Sequence, residues 1–122
     1  MTPSLVRVSC GALLVWARRQ STDYGLQAAR FAGGWSAARR LGAGNSWSPR
    51  FAEIADVGRF LVHRSPAGWA ALELDAEGRQ LRRAEITDER HERPVLTTSG
   101  GGVSPRWRRA DPVRQLRWEG SR

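Results

Sequence analysis

The chain has no lysine. All of its 20 basic side chains are arginine, set against 12 Asp and Glu, for a formal net charge of +8 over 122 residues. Cys10 is the one cysteine, which excludes an internal disulfide and a thiolate-built metal cage and leans slightly towards a reducing, cytoplasmic setting. His63 and His91 are the only histidines, too few and too isolated for a histidine-built metal centre. A long apolar run is also missing: Val8–Ala17 is far too short to span a bilayer. Arg18-Arg19 stand where a signal peptide needs small residues, and Arg7 stands where a lipoprotein signal before Cys10 needs an aliphatic one. The run reads as a buried strand. There is no Gly-x-Ser-x-Gly elbow and no extended 3.6-residue periodicity to argue for a helix.

What is present suits a single modest domain over 1–122. Hydrophobic residues make up 40% of the chain, below the usual share, yet Leu, Val, Phe and Trp recur in short runs that argue against disorder. The basic balance favours nucleic acid, anionic membrane or acidic partners through long-range attraction. Arginine without lysine is also what GC-rich coding produces with no selection for binding.

Short apolar runs alternate with turn residues along the whole chain. Met1–Ser4 reads as a frayed end, Gly11–Arg18 as a central strand, Ser21–Gly25 as a turn with Gly25 at positive φ, and Leu26–Ala32 as a partner strand. After Gly33-Gly34, Trp35–Leu41 reads as a strand, although its alanines and arginines also suit a helix. Trp47-Ser-Pro-Arg50 is a turn, Phe51–Ala55 a short strand, and Arg59–Ser65 with Trp69–Asp75 a hairpin about Pro66-Ala67-Gly68. Arg79–Ile86 adds a third strand, Thr87–Arg93 a charged loop, Pro94–Thr98 a brief strand, and Val103–Ala110 and Arg114–Trp118 the last two. Turn signals at roughly 8–12-residue spacing point to an all-β sandwich, barrel or propeller.

Weak internal similarity sharpens this. Ser48-Pro49-Arg50-Phe51 recurs as Ser104-Pro105-Arg106-Trp107, Ala55-Asp56 with Arg59 and Leu61 as Ala110-Asp111 with Arg114 and Leu116, and Gly11-Ala-Leu13-Leu14-Val15 as Gly58-Arg-Phe60-Leu61-Val62. Trp47-Ser48-Pro49 followed by Gly58–Val62 and Ser65 resembles the TolB-type β-propeller repeat, and Ser99–Trp107 resembles the start of another. Arg50-Phe51 and Arg106-Trp107 stand where that family has Asp-Gly. Ser21–Gly42, with its Gly-Gly-Trp-Ser turn, is similar to lectin-like and tectonin-like propeller repeats. The resemblance implies antiparallel hairpins forming two to three propeller-like blades, with approximate units 5–42, 43–86 and 87–122. A propeller closes with about four to eight blades. The chain is therefore expected to be a fragment of a larger ring, a protomer that closes by oligomerising, or another small β fold such as a barrel or sandwich.

Candidate chemistry is sparse. Glu73, Asp75 and Glu77 alternate along a strand and its turn, a spacing open to acid–base work or cation binding but read as a solvent-facing edge and an Asp-x-x-Gly turn. His63, as a general base, would need Ser65 and Asp56 in an order that matches no known arrangement. Ser99-Gly-Gly-Gly-Val reads as a hairpin loop and not as a phosphate cradle. In the C-terminal segment Arg106, Trp107, Arg108, Arg109, Arg114, Arg117 and Trp118 interleave guanidiniums that would neutralise phosphates with indoles that would stack on bases. Against that, the six tryptophans sit at similar points of successive hairpins, which favours packing.

The expected function is non-catalytic binding, by a β-repeat module that presents a surface to a protein or glycan, with no enzyme activity and no cofactor or metal. Contacts would concentrate at Ser21–Gly25, Asn45–Pro49 and Thr87–Arg93. The alternatives are a basic nucleic-acid-binding protein that uses the C-terminal Arg/Trp segment, and a truncated or weakly selected product without independent function. Open sheet edges would favour homo-oligomers.

Overall fold

In the computed structural model the apolar runs resolve into eleven strands, with no helix among the described residues, which are 3–8, 11–20, 22–41, 45–54, 58–66, 68–87, 93–99, 102–106 and 117–120. The fold is all-β and every pairing is antiparallel. The first sheet is a meander of β1 (Ser4–Val8), β2 (Gly11–Gln20), β3 (Asp23–Phe31) and β4 (Arg39–Leu41). The second is a meander of β5 (Trp47–Ile54), β6 (Gly58–Ser65), β7 (Gly68–Leu74) and β8 (Gln80–Thr87), extended on its β8 edge by the two-residue β11 (Glu119–Gly120). β9 (Val95–Ser99) and β10 (Gly102–Arg106) form a separate hairpin. No sheet closes into a barrel among the described residues.

Alternation along the strands decides how the sheets stack. Val15, Leu26, Ala28 and Leu41 leave one face of the first sheet and meet Leu61, Leu72 and Leu74 of the second, with Ala17 and Phe51 against them. The opposite face of the second sheet carries Phe60, Val62, Trp69, Ala71 and Ile86, covered by Leu96 and Val103 of the β9–β10 hairpin and by Trp118. Every residue of β7 is buried as a result. Each fully buried Leu or Phe of these two interfaces contributes about 1.5–3 kcal/mol relative to an exposed side chain. The outer sheets have one open face each. On the first sheet that face holds Leu5, Leu14, Trp16 and Phe31, with Leu5 61% and Phe31 41% exposed; on the hairpin it holds Val95, 65% exposed.

Several expectations are corrected. Ser4 is not frayed but opens β1, where its hydroxyl accepts the Phe51 backbone N–H at 3.0 Å. Tyr24 and Gly25 belong to β3 and pair with Arg19 and Arg18, so the β2–β3 turn is short and Gly25 keeps negative φ. The strand expected over Trp35–Leu41 shrinks to Arg39–Leu41 and an isolated bridge from Trp35 to Phe31. Trp47-Ser-Pro is not a turn before a strand; it lies within β5 as a bulge between Trp47 and Arg50, with Ser48 at φ 53°. Of the last expected strand, Arg114–Leu116 lie outside the described residues, and Arg117-Trp118 precede β11 without joining it.

Candidate binding site

Among the described residues the sequence candidates take separate structural roles. Glu73 is not solvent-facing: it is 3% exposed, and its Oε1 accepts Arg82 Nε at 2.6 Å. Asp75 does form the expected turn, its Oδ1 accepting the backbone N–H groups of Glu77 and Arg79, both at 2.9 Å, with Gly78 at φ 82°. Burial pushes the Asp75 carboxyl up, but these hydrogen bonds and the Arg79 guanidinium outweigh it and hold the carboxyl below its usual range. The two acids thus serve different structural purposes. No group of three His, Cys, Asp or Glu that would hold a metal ion occurs among the described residues.

His63 is 1% exposed in the face of β6 that meets the first sheet. Its Nδ1 donates to the Arg64 carbonyl at 2.8 Å, while Nε2 is buried without a partner. Burial is the main cause that lowers its pKa to about 4, assisted by the Arg83 charge and opposed by the hydrogen bond to Arg64. The hydroxyl of Ser65 is also buried and unpartnered, and Asp56 lies outside the described residues, as do Cys10 and His91. A histidine held neutral and closed off from solvent has no route to a substrate. Ser99 pairs with Gly102 across the β9–β10 connection, and Gly100 and Gly101 of the expected hairpin loop lie outside the described residues.

Of the C-terminal candidates, Trp107, Arg108, Arg109 and Arg114 lie outside the described residues, Arg106 ends β10 and Arg117 is exposed. Trp118 is half-buried, with its ring centroid 5.5 Å from that of Phe60 and the Arg82 guanidinium 4.7 Å above it. Its indole is occupied by packing.

A different arginine–tryptophan cluster emerges at the other end of the same face. Strand register places Trp47 opposite Arg64 and Arg64 opposite Trp69 across β5, β6 and β7. The Arg64 guanidinium lies 5.9 Å from the Trp47 ring and 5.0 Å from the Trp69 ring, and Arg93, leading into β9, sits 5.6 Å from Trp69. Guanidiniums over indole faces attract the ring quadrupole and pack flat, which fixes this alternating ladder. Arg93 also donates from Nη2 to the Ser48 carbonyl at 3.3 Å, a carbonyl turned out of the ladder of β5 by the bulge. Around Arg93 open three cavities: about 480 Å³ beside Trp47, Ser48, Arg64 and Trp69, about 520 Å³ beside Pro3, Ser4, Leu5, Pro49 and Arg50, and about 200 Å³ beside Arg50, Phe51 and Pro94–Leu96. None is lined by a carboxylate among the described residues.

The Asn45–Pro49 segment touches each of the other two segments expected to carry contacts. Asn45 Oδ1 accepts the Tyr24 N–H at 2.9 Å, Ser46 N–H donates to the Tyr24 carbonyl at 3.0 Å, and Ser48 holds Arg93. The ladder itself was not anticipated. Its signal in the sequence is the hairpin register, since pairing Ser65 with Gly68 puts Arg64 opposite Trp69.

Comparison with known proteins finds no matching family model, curated protein or solved structure. Among the described residues no helix is long and apolar enough to cross a membrane.

Proposed function

We propose that the chain is a non-catalytic binding module of β-repeat type, built from blade-like sheets that need further sheets to cover their open faces. The observation that carries this reading is the stacking order. Two meanders of the same up-and-down order follow one another in sequence, and the second has both faces covered, by the first meander and by the next hairpin. Face-to-face succession of four-stranded sheets is how a propeller is built. The open face of the first sheet, with Leu5, Leu14, Trp16 and Phe31, is then the place of a further sheet, supplied by a second copy or by adjoining sequence. The binding surface for a protein or glycan is the end of the stack where Trp47, Arg64, Trp69 and Arg93 converge.

Size-exclusion chromatography with light scattering tests the reading. A discrete multiple of 13.6 kDa is expected. A strictly monomeric chain would mean that the open faces tolerate water, and the fold would then be a self-sufficient sandwich. Against the nucleic-acid alternative stands the packing of Trp118 on Phe60 and Arg82; its Trp107, Arg108, Arg109 and Arg114 lie outside the described residues.

A further inference from the structure

The second sheet carries an arginine–tryptophan contact at each end of its hairpin-covered face, and the two ends differ in one respect. At the Trp118 end the guanidinium of Arg82 is neutralised by Glu73 at 2.6 Å. At the Trp69 end neither Arg93 nor Arg50 has an ion pair among the described residues, and the Nε of Arg93 is buried without a hydrogen-bond partner. Burial and the neighbouring Arg50 charge both work against the Arg93 cation. Two like charges held beside one cavity, with no counter-charge among the described residues, are an unfavourable arrangement that an anion would relieve.

We infer that Arg93 and Arg50, with Ser48 and the Trp47–Arg64–Trp69 ladder as their support, form a binding site for the sulfate group of an acidic glycan. A guanidinium fork meets a tetrahedral oxyanion in bidentate fashion, and Arg93 and Arg50 line two of these cavities together. The ladder holds the fork in place, because Arg64 and Arg93 flank the Trp69 ring. The same stacking argues against single-stranded nucleic acid, which needs aromatic faces open to bases. The cavity lined by both Arg50 and Arg93, and the one that Arg93 shares with Trp47 and Trp69, leave room for sugar units beyond the sulfate group.

This inference takes up the binding-module reading and names its ligand. The test is isothermal titration of the full chain with a sulfated hexasaccharide, its desulfated counterpart, inorganic sulfate and single-stranded oligothymidylate. Arg93→Gln, Arg93→Lys and Arg50→Gln are measured alongside, with Arg117→Gln, exposed before β11, as a charge control. Expected is binding of the sulfated sugar that weakens at least tenfold in Arg93→Gln and Arg50→Gln, weakens less in Arg93→Lys, and is unchanged in Arg117→Gln. Arg50 is exposed, so its variant keeps the test valid if Arg93→Gln unfolds. Equal losses in Arg117→Gln, equal affinity for the desulfated sugar, preference for oligothymidylate, or no binding would each overturn the inference. A chain that self-associates but does not bind sulfate fails the inference alone; one that neither associates nor binds fails both readings.

Discussion

At the scale of single residues, burial and pairing determine what the charged and polar groups can do. His63 titrates near 6.5 when unfolded and about 4 in the fold. As pH falls, the unfolded chain takes up the proton first, so the histidine costs stability progressively between about pH 6.5 and 4 and no further below that. The full loss is about 3 kcal/mol for a shift of this size. Asp75, held below the usual carboxylate range, contributes stability that is present above that range and lost only as pH falls through its folded value. The His63 window therefore stands apart from it. Denaturant midpoints at pH 7 and pH 4.5 are expected to differ in the wild type and to converge in His63→Leu, which also removes the unpartnered Nε2. A wild-type midpoint unchanged between these pH values would contradict the account.

At the scale of elements, β5 is the pivot. Phe51 packs with the core of the first sheet, Ala52 and Ile54 pack on the other side of the second, and the bulge at Ser48-Pro49 turns a carbonyl towards Arg93. Ser48 adopts φ 53°, a conformation that costs a non-glycine residue about 1 kcal/mol or more. Ser48→Gly is expected to raise stability by a few tenths to about 1 kcal/mol in equilibrium unfolding, while Ser48→Val lowers it by a similar or larger amount. Glycine lowering stability there would mean that the serine side chain does more than the backbone requires. The sequence makes β2, β6, β7 and β8 legible, because apolar runs bounded by Gly, Pro and Asp are what a half- or fully buried strand needs. It hides β1, whose short run is interrupted by Arg7 and is defined only by pairing with β2. It hides the role of Pro49, which reads as a turn but is tolerated within a strand at an edge bulge. Glu73 was misread because alternation gives its face but not that both faces of its sheet are covered. Half of the Arg–Trp ladder, Arg64 with Trp69, follows from hairpin register; Trp47 lies across the bulge and Arg93 across a loop, so tertiary structure alone brings them in.

At the scale of the whole molecule, a central sheet is enclosed and its neighbours are half enclosed. Val15, Leu26, Leu61 and Leu72 make one interface, Phe60, Val62, Trp69 and Leu96 the other, and Leu5, Phe31 and Val95 are left facing outward. Apolar surface of this kind, beside a sheet with unpaired edges, is stabilised by burying it against another sheet. Association that buries it links folding to protein concentration. The most direct measurement is the thermal melt of the full chain, followed by tryptophan fluorescence over a hundredfold range of protein concentration. The account predicts a cooperative transition whose midpoint rises with concentration, as covered faces come to depend on a second copy. A cooperative midpoint that does not move with concentration would contradict it and leave a sandwich complete in itself.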